Sequence, residues 1–148
     1  MEKDSTILFV DDSEEDHDLM RYAFNKAQVP NPVLELQSGE EAIRYLSGEG
    51  EFANRERYPL PCLIITDLKM PRVDGFELLE RLRVRPEFTR VPKIVLSASA
   101  HDGDRMRARE LGACAYFVKP AQLNELVEVV RQMDDEWISE NCPLVGAA

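Results

Sequence analysis

Three acidic side chains, one hydroxyl and one lysine each stand directly after a short apolar run of the sequence. They are Asp11 and Asp12, Asp67, Ser97 and Lys119. Carboxylates gathered in one cleft repel one another unless a cation offsets their charge. An oxygen-only cluster suits Mg²⁺, and a carboxylate beside such a metal and an ammonium can accept a phosphoryl group. The pattern therefore favours metal-assisted phosphoryl transfer.

These side chains need a scaffold that brings the ends of the apolar runs together. The runs are typical of β-strands and cover residues 7–10, 33–36, 63–66, 93–96 and 115–118, and each is followed by apolar residues at helical spacing. This alternation predicts an α/β fold with one parallel sheet of five strands flanked by five helices. Sites in open parallel sheets form beyond the carboxyl ends of the strands, where these residues stand.

Composition excludes several classes of protein and site. The chain of 148 residues has a net charge of −10, so we expect no nucleic-acid partner. It has no apolar run of about 18 residues and no signal peptide, so we expect no membrane span and a cytoplasmic location. The cysteines are widely spaced and odd in number, which argues against a disulfide framework or a zinc site. His17 and His101 have no metal-ligand spacing and are expected at the surface.

Four segments together resemble the receiver domain of bacterial two-component response regulators. They are residues 9–13 (FVDDS), 65–75 (ITDLKMPRVDG), 95–98 (VLSA) and 116–120 (YFVKP). The resemblance covers about residues 5–135 and implies a flavodoxin-like, doubly wound sheet with strand order 2-1-3-4-5. The long loop at residues 48–61, which ends in Arg-Tyr-Pro-Leu-Pro, resembles the stand-alone subgroup that includes phytochrome-associated regulators.

The resemblance implies a role for each acidic residue. Asp67 would accept the phosphoryl group. Asp12 would bind Mg²⁺ directly and Asp11 mainly through water, and Asp67 and the backbone carbonyl of Lys69 would complete the set of protein ligands. The acidic residues would thus form one magnesium and phosphoryl site.

The resemblance also assigns the residues that respond to the phosphoryl group. Ser97 and Lys119 would hold its oxygens, and Tyr116 would change rotamer together with Ser97. The Lys119–Pro120 peptide bond is expected to be cis, which would aim the lysine inward.

The predicted function is that of a single-domain response regulator. It would accept a phosphoryl group from a sensor histidine kinase, of phytochrome type by the subgroup resemblance, and relay the signal by protein contacts. Residues 1–137 are predicted to form the receiver domain and residues 138–148 a C-terminal tail. The protein is expected not to be an enzyme. Arg105, Arg107 and Arg109 of the fourth helix and the acidic residues of the fifth helix and its extension predict a homodimer through the face of helix four, strand five and helix five.

Two other functions remain open. A pseudo-receiver would act only as a protein-binding module, but it usually lacks the acceptor or the acidic pair, and both are present here. A Mg²⁺-dependent aspartyl phosphatase of the haloacid dehalogenase type would need Asp-x-Asp at the nucleophile, whereas Lys69 stands two residues after Asp67.

Overall fold

The structure, a computed structural model, describes residues 5–142. Its strands are β1 (Ile7–Val10), β2 (Val33–Leu36), β3 (Leu63–Thr66), β4 (Lys93–Ser97) and β5 (Ala115–Val118). They form one five-stranded sheet in the order β2-β1-β3-β4-β5, with every neighbouring pair parallel. The predicted fold class and strand order are confirmed.

Five helices flank the sheet: α1 (Glu14–Lys26), α2 (Gly39–Ser47), α3 (Gly75–Arg83), α4 (Asp102–Glu110) and α5 (Leu123–Met133). The side chains of Ser13, Ser38 and Asp74 cap α1, α2 and α3, each accepting a backbone N–H from the third helical residue. These caps fix where the helices begin after strands β1, β2 and β3. No helix within residues 5–142 is long and apolar enough to cross a membrane.

Alternate side chains of the strands point to opposite faces of the sheet and build two apolar layers. On one face, Ile7 and Phe9 of β1 pack with Met20 of α1 and Val130 of α5. On the other face, Leu8 packs with buried residues of α2 and α3. Helices thus cover both faces, as the unbroken apolar runs of the strands require.

The predicted loop at residues 48–61 contains a 3₁₀ turn, Gly50–Ala53, and an aromatic cluster. The ring of Phe52 is buried and lies 5.1 Å from the rings of both Tyr45 and Tyr58. Arg55 donates hydrogen bonds to the carbonyl oxygens of Tyr45 at 2.9 Å and Leu46 at 3.1 Å. Because those carbonyls lie in the last turn of α2, the arginine ties the loop to that helix.

The C-terminal helical segment extends beyond its predicted end. After α5 the chain continues through a π-helical turn, Asp134–Ile138, and a short helical turn, Ser139–Asn141. Ile138 and Cys142 are buried in the apolar layer between the sheet, α1 and α5. Residues 138–142 of the predicted tail therefore pack on the domain, and residues 143–148 lie outside the described part of the chain.

Cys62 and Cys142 form a disulfide, so the expectation drawn from the cysteine spacing is wrong. The two residues are separated by 80 positions, yet the fold brings their Cα atoms to 5.4 Å. At the same place the side-chain amide of Asn31 donates to the carbonyl oxygens of Ser5 at 3.0 Å and Cys142 at 2.9 Å. Local spacing could not reveal this pair because only the packed helical segment carries Cys142 to the start of β3. Cys114 is a free, exposed thiol.

Candidate functional site

The register of the sheet brings the predicted site residues to one edge. Val10 of β1 pairs with Thr66 of β3, Thr66 pairs with Val95 of β4, and Ser97 pairs with Val118 of β5. The predicted residues lie at or directly after the ends of these strands: Asp11, Asp12, Asp67, Ser97 and Lys119. The structure therefore brings together all five residues from which the sequence argument started.

The acidic pair consists of one buried and one exposed residue. Asp11 is fully buried, whereas Asp12 is exposed. The Oδ1 atom of Asp11 accepts a hydrogen bond from the backbone N–H of Ser13 at 2.9 Å. Burial raises the pKa of the Asp11 carboxyl above its usual value, against the opposing effects of the Ser13 N–H and the Lys119 ammonium. The Asp11 carboxylate is thus fixed beside the cap of α1, whereas an ion in solution can reach the neighbouring Asp12 carboxylate.

Asp67 is held in place through its backbone and both carboxylate oxygens. Its side chain lies at the end of β3, with Oδ1 accepting the Leu68 N–H at 2.7 Å and Oδ2 3.1 Å from Lys119 Nζ. A Cβ atom at Gly75 would lie 2.2 Å from the carbonyl oxygen of Asp67, so a glycine is required where α3 begins. The start of α3 and the end of β3 at Asp67 are therefore in close contact.

Lys119 places its ammonium group among the carboxylates. Its Nζ lies 2.9 Å from Asp11 Oδ2, 2.7 Å from Asp16 Oδ2 and 3.1 Å from Asp67 Oδ2. Burial disfavours the charged ammonium, but the hydrogen bonds to Asp16 and Asp11 and the charge of Asp67 outweigh it, and the pKa of Lys119 is raised. Lys119 is thus the counter-charge that the acidic cluster requires. Asp16 was not among the residues expected from the sequence.

The described residues contain no cis peptide bond, so the Lys119–Pro120 bond is trans. The expectation of a cis bond is wrong. The lysine reaches the site by another means. Its backbone N–H donates to the carbonyl oxygen of Ser97 at 2.7 Å, which continues the pairing of β5 with β4 past the strand end. The lower-energy trans form therefore suffices to carry the side chain to the carboxylates.

Three carboxylates of the site fit a divalent metal ion. One oxygen atom from each of Asp11, Asp12 and Asp67 lies within 4.8 Å of the others. This is the all-oxygen donor set that hard cations take. Lys69 follows in the loop between β3 and α3, with its side chain exposed and its Nζ 3.9 Å from Asp104. The ligand role of its backbone carbonyl stays a prediction.

The two predicted switch residues meet at Ser99. Ser97 is fully buried, and its Oγ accepts the Ser99 backbone N–H at 3.2 Å. The hydroxyl of Tyr116 donates to the Ser99 carbonyl oxygen at 2.8 Å, and the guanidinium of Arg105 lies 5.0 Å from the centre of the Tyr116 ring. Ser97 and Tyr116 are therefore connected through one residue of the backbone, and their joint rotamer change stays a prediction.

His17 is buried beneath the acidic pair, so its expected surface position is wrong. Its Nε2 lies 2.8 Å from the carbonyl oxygen of Asp11, and its Nδ1 lies 3.2 Å from Glu35. Because a carbonyl oxygen only accepts, Nε2 carries the proton and donates it to Asp11. His17 lies three residues before the buried Met20, and this helical spacing is the signal that could have revealed its burial.

Comparison with known proteins places the chain among signalling proteins. It matches the sequence model of the response regulator receiver domain over residues 7–131. The chain belongs to the response regulator receiver family. It is therefore a receiver domain of the kind used in two-component signalling, as its sequence predicted.

Individual relatives agree with this family over nearly the whole receiver. The response regulator Rcp1 of Synechocystis sp. is 30% identical over 132 residues, which cover 89% of this chain and 88% of Rcp1. The structure of the phosphorylated cyanobacterial phytochrome response regulator RcpA has a TM-score of 0.84 at 34% identity, covering 93% of this chain and 96% of that chain. The Mn²⁺-bound form of Rcp1 has a TM-score of 0.81 at 28% identity, covering 97% and 99%. The predicted resemblance to phytochrome-associated response regulators is confirmed.

Proposed function

We propose that this receiver accepts a phosphoryl group on Asp67 from a sensor histidine kinase and relays the signal by phosphorylation-dependent protein contacts. The observation that carries the proposal is the Lys119 ammonium, which contacts Asp11 and Asp67 where three carboxylates gather. An ammonium in this position can stabilise charge on a transferred phosphoryl group. A purely structural ion pair would not need a third, exposed carboxylate, Asp12, beside it.

Mg²⁺ is the ion that we propose for the acidic cluster. Asp12 and Asp67 would hold it directly, Asp11 mainly through water, and Lys69 through its backbone carbonyl. Bound there, it would supply positive charge that offsets the carboxylates and the phosphoryl oxygens. The all-oxygen donor set supports a hard cation, and the Mn²⁺-bound form of Rcp1 is a precedent in a relative.

The transfer is a displacement at phosphorus. One carboxylate oxygen of Asp67 forms a bond to phosphorus while the phosphorus–nitrogen bond of the kinase phosphohistidine breaks, and the departing imidazole takes up a proton. Lys119 stabilises the phosphoryl oxygens by its charge, and the Ser97 hydroxyl donates a hydrogen bond to one of them. The product is an acyl phosphate on Asp67. The receiver thus takes part in its own modification and acts on no other substrate.

Ser97 and Tyr116 would connect this modification with the face formed by α4, β5 and α5. The phosphoryl group adds negative charge and acceptor oxygens that attract the Ser97 hydroxyl. Movement of that hydroxyl releases the Ser99 N–H, and Tyr116, which is bonded to the carbonyl of the same residue, then shifts its rotamer equilibrium. Partner proteins would recognise the changed position of Tyr116.

The same face is our candidate for a homodimer. Arg105 and Arg109 of α4 form no ion pair within residues 5–142, and Glu125 of α5 is exposed. Opposite charges on one face can complement each other about a two-fold axis. Trp137 does not support the dimer, because its ring packs against Phe117 at 6.3 Å beside the apolar core. Sedimentation of wild type and Arg105→Glu, with and without phosphodonor, tests the face; a monomer throughout contradicts it.

A phytochrome-type histidine kinase is the donor that we propose, with the cytoplasm as the location. The support for the donor is the similarity to RcpA, a cyanobacterial phytochrome response regulator. The net charge of −10 argues against a nucleic-acid partner, because it repels phosphate groups. We also propose no membrane partner. Reducing compartments keep most cysteine pairs as thiols, so Cys62 and Cys142 would be reduced in the cytoplasm. Alkylation of thiols in acid-quenched cells, followed by mass measurement, tests the location: a disulfide in that sample argues against it.

Phosphorylation by acetyl phosphate tests the proposed acceptor. With Mg²⁺ we expect wild-type protein to gain one phosphoryl group, mapped by mass spectrometry to the peptide that contains Asp67, and none with a chelator present. Asp67→Asn keeps the size of the side chain but removes the nucleophile, so it should gain none. Asp135→Asn, which removes an exposed carboxylate from the C-terminal helical segment, is the matched control and should behave as wild type.

The outcome that contradicts this acceptor is a base-labile phosphoryl group at normal yield in Asp67→Asn. A second arm replaces acetyl phosphate with an autophosphorylated kinase. Faster transfer from a phytochrome-type kinase than from an unrelated histidine kinase supports the proposed partner, and equal rates from both contradict it.

A further inference from the structure

Asp16, at the third position of α1, is a fourth carboxylate beside the site. Its backbone N–H donates to the Oγ of Ser13, the helix cap, at 3.2 Å. In the common capping arrangement, the side chain of an acidic residue at this position reaches back to the backbone N–H of the cap. Here the Ser13 N–H donates to Asp11 Oδ1 instead, at 2.9 Å. The Asp16 carboxylate is therefore available to another group.

That group is the Lys119 ammonium. Asp16 Oδ2 lies 2.7 Å from Nζ, closer than the oxygens of Asp11 at 2.9 Å and Asp67 at 3.1 Å. Burial alone would lower the pKa of Lys119, but its contacts with carboxylates raise the pKa by more. The hydrogen bond to Asp16 has the largest raising effect among these contacts. The side chain of Asp16 is 28% exposed, so this contact lies at the rim of the site, whereas Asp11 and Asp67 are buried.

Asp16 also stands outside the metal cluster. The carboxylate oxygens that lie within 4.8 Å of one another belong to Asp11, Asp12 and Asp67. In the proposed function, Asp11 and Asp67 take part in metal coordination, and Asp67 also receives the phosphoryl group. Their carboxylate oxygens contact the Lys119 ammonium in this structure. Among the carboxylate partners of Lys119 within residues 5–142, Asp16 alone is used by neither step.

We propose that Asp16 is a positioning residue that anchors the Lys119 ammonium beside Asp67 before and during phosphoryl transfer. This inference rests on the proposed function of the site. The lysine ammonium sits on a flexible four-carbon chain, so without an anchor it would sample many positions. Holding it in place beforehand favours the transfer, because less order has to be created in the transition state.

Substitutions at two positions of α1 separate this role from a general effect of charge. Asp16→Asn removes the charge at nearly constant size, and Asp16→Glu keeps it. Asp18→Asn is the matched control, because it makes the same charge change on the same helix at an exposed carboxylate that pairs with Arg21. Circular dichroism confirms folding, and Asp16→Ser carries the same expectations should Asp16→Asn unfold.

The first measurement is the ¹H–¹⁵N signal of the Lys119 ammonium in metal-free protein, identified by its loss in Lys119→Met. An ammonium held by carboxylates exchanges its protons slowly and gives a sharp signal. We expect this signal in wild type, Asp16→Glu and Asp18→Asn, and a measurably broader signal in Asp16→Asn, which keeps the contacts with Asp11 and Asp67. A signal in Asp16→Asn equal to that in Asp18→Asn overturns the proposal.

The second measurement is the rate at which acetyl phosphate modifies Asp67 at saturating Mg²⁺. We expect Asp16→Asn to be slower than wild type by about tenfold, the size typical of residues that orient a reacting group. Asp16→Glu should recover most of the rate, and Asp18→Asn should keep it. An unchanged or faster rate in Asp16→Asn, or an Asp16→Glu variant as slow as Asp16→Asn, overturns the proposal. A wild-type protein that gains no phosphoryl group on Asp67 overturns the proposed function instead, and the ammonium signals still decide the contact with Asp16.

Discussion

The two edges of the sheet each contain a largely buried lysine, but the lysines have different partners. At the carboxyl edge, Lys119 contacts three carboxylates, and its pKa is raised. At the amino edge, Lys93 opens β4 and donates to the carbonyl oxygen of Phe88, and burial lowers its pKa. Burial acts in the same direction on both, so the charge of the partners decides the outcome.

The surroundings of the two lysines differ in the same way. The amino edge is closed by the Cys62–Cys142 disulfide and the Asn31 hydrogen bonds, which join segments distant in the sequence. The carboxyl edge keeps Asp12 exposed and holds more acidic groups than Lys119 can neutralise. The amino edge therefore stabilises the fold, whereas the carboxyl edge keeps the uncompensated negative charge that the proposed cation and phosphoryl site requires.

Loss of the disulfide should have the largest effect on stability and almost none on phosphorylation. In the oxidised protein, a cross-link that closes a loop of 80 residues restricts the unfolded chain, so Cys142→Ser should lower the free energy of unfolding by about 4.5 kcal/mol relative to oxidised wild type. A urea titration monitored by Trp137 fluorescence measures this change in the free energy of unfolding. Cys114→Ser is the control, because that thiol is free. A slower phosphorylation of Asp67 in Cys142→Ser would show that the two edges are not independent.

Gly75→Ala should damage the carboxyl edge through its backbone. The added methyl group would meet the carbonyl oxygen of Asp67, so either the start of α3 or the acceptor strand end must move. We expect a loss of about 3 kcal/mol in stability, with slower phosphorylation of Asp67. Gly103→Ala in α4 is the control, because its Cβ would meet nothing within 4 Å. Equal stability of the two variants in a urea titration would refute the close contact.

Replacing each of the two lysines by Met tests the comparison directly. Lys119→Met leaves carboxylates without their counter-charge and should cost about 2 kcal/mol of stability in the absence of Mg²⁺. Added Mg²⁺ should stabilise this variant more than wild type, because the cluster is then more negative. Lys93→Met removes an ammonium that donates to a carbonyl oxygen and forms no ion pair within residues 5–142, so it should cost about 1 kcal/mol or less, with no effect of Mg²⁺. The same response to Mg²⁺ in both variants would contradict the comparison.

The contribution of Lys119 should also depend on pH in a defined direction. Its pKa in the folded protein is raised above the ordinary value of 10.5, so its stabilising effect is complete below that value and is lost as pH rises through the folded-state pKa. The difference in stability between wild type and Lys119→Met should therefore stay constant from neutral pH to about pH 10 and narrow above it. Urea titrations across this range measure it. A difference that already narrows near neutral pH would show that the ion pairs do not form.

Tyr116→Phe should have the smallest effect. It removes one hydrogen bond, to the Ser99 carbonyl oxygen, and should cost about 1 kcal/mol of stability. Because Tyr116 contacts no carboxylate of the site, the rate of phosphorylation should stay at the wild-type value. What should change is the pattern of amide shifts that phosphorylation produces around residues 97–120. An unaltered pattern would separate Tyr116 from the response.

The fold and the main site residues could be predicted because they depend on local patterns. Strands covered on both faces give unbroken apolar runs, and the residue after each run is fixed at the edge, as for Asp67 and Lys119. Asp16 escaped prediction because acidic residues are common in the first turn of a helix, where they cap. Cys142 escaped because the π-helical turn adds a residue, which rotates the segment beyond α5 relative to an α-helical stripe. Both depend on contacts between distant parts of the chain.

The amide group of Asn31 has a consequence for chain topology. Because one nitrogen atom bonds the carbonyl oxygens of both Ser5 and Cys142, those two oxygens lie within about 6 Å of each other. Domains in which the first and last packed segments meet in this way commonly tolerate circular permutation. In a variant trimmed to residues 5–142, a short linker from Cys142 to Ser5, with new termini opened at the exposed residues near Glu56, would leave every strand in its place. The order in which the elements follow one another along the chain could then be changed without moving the acidic cluster.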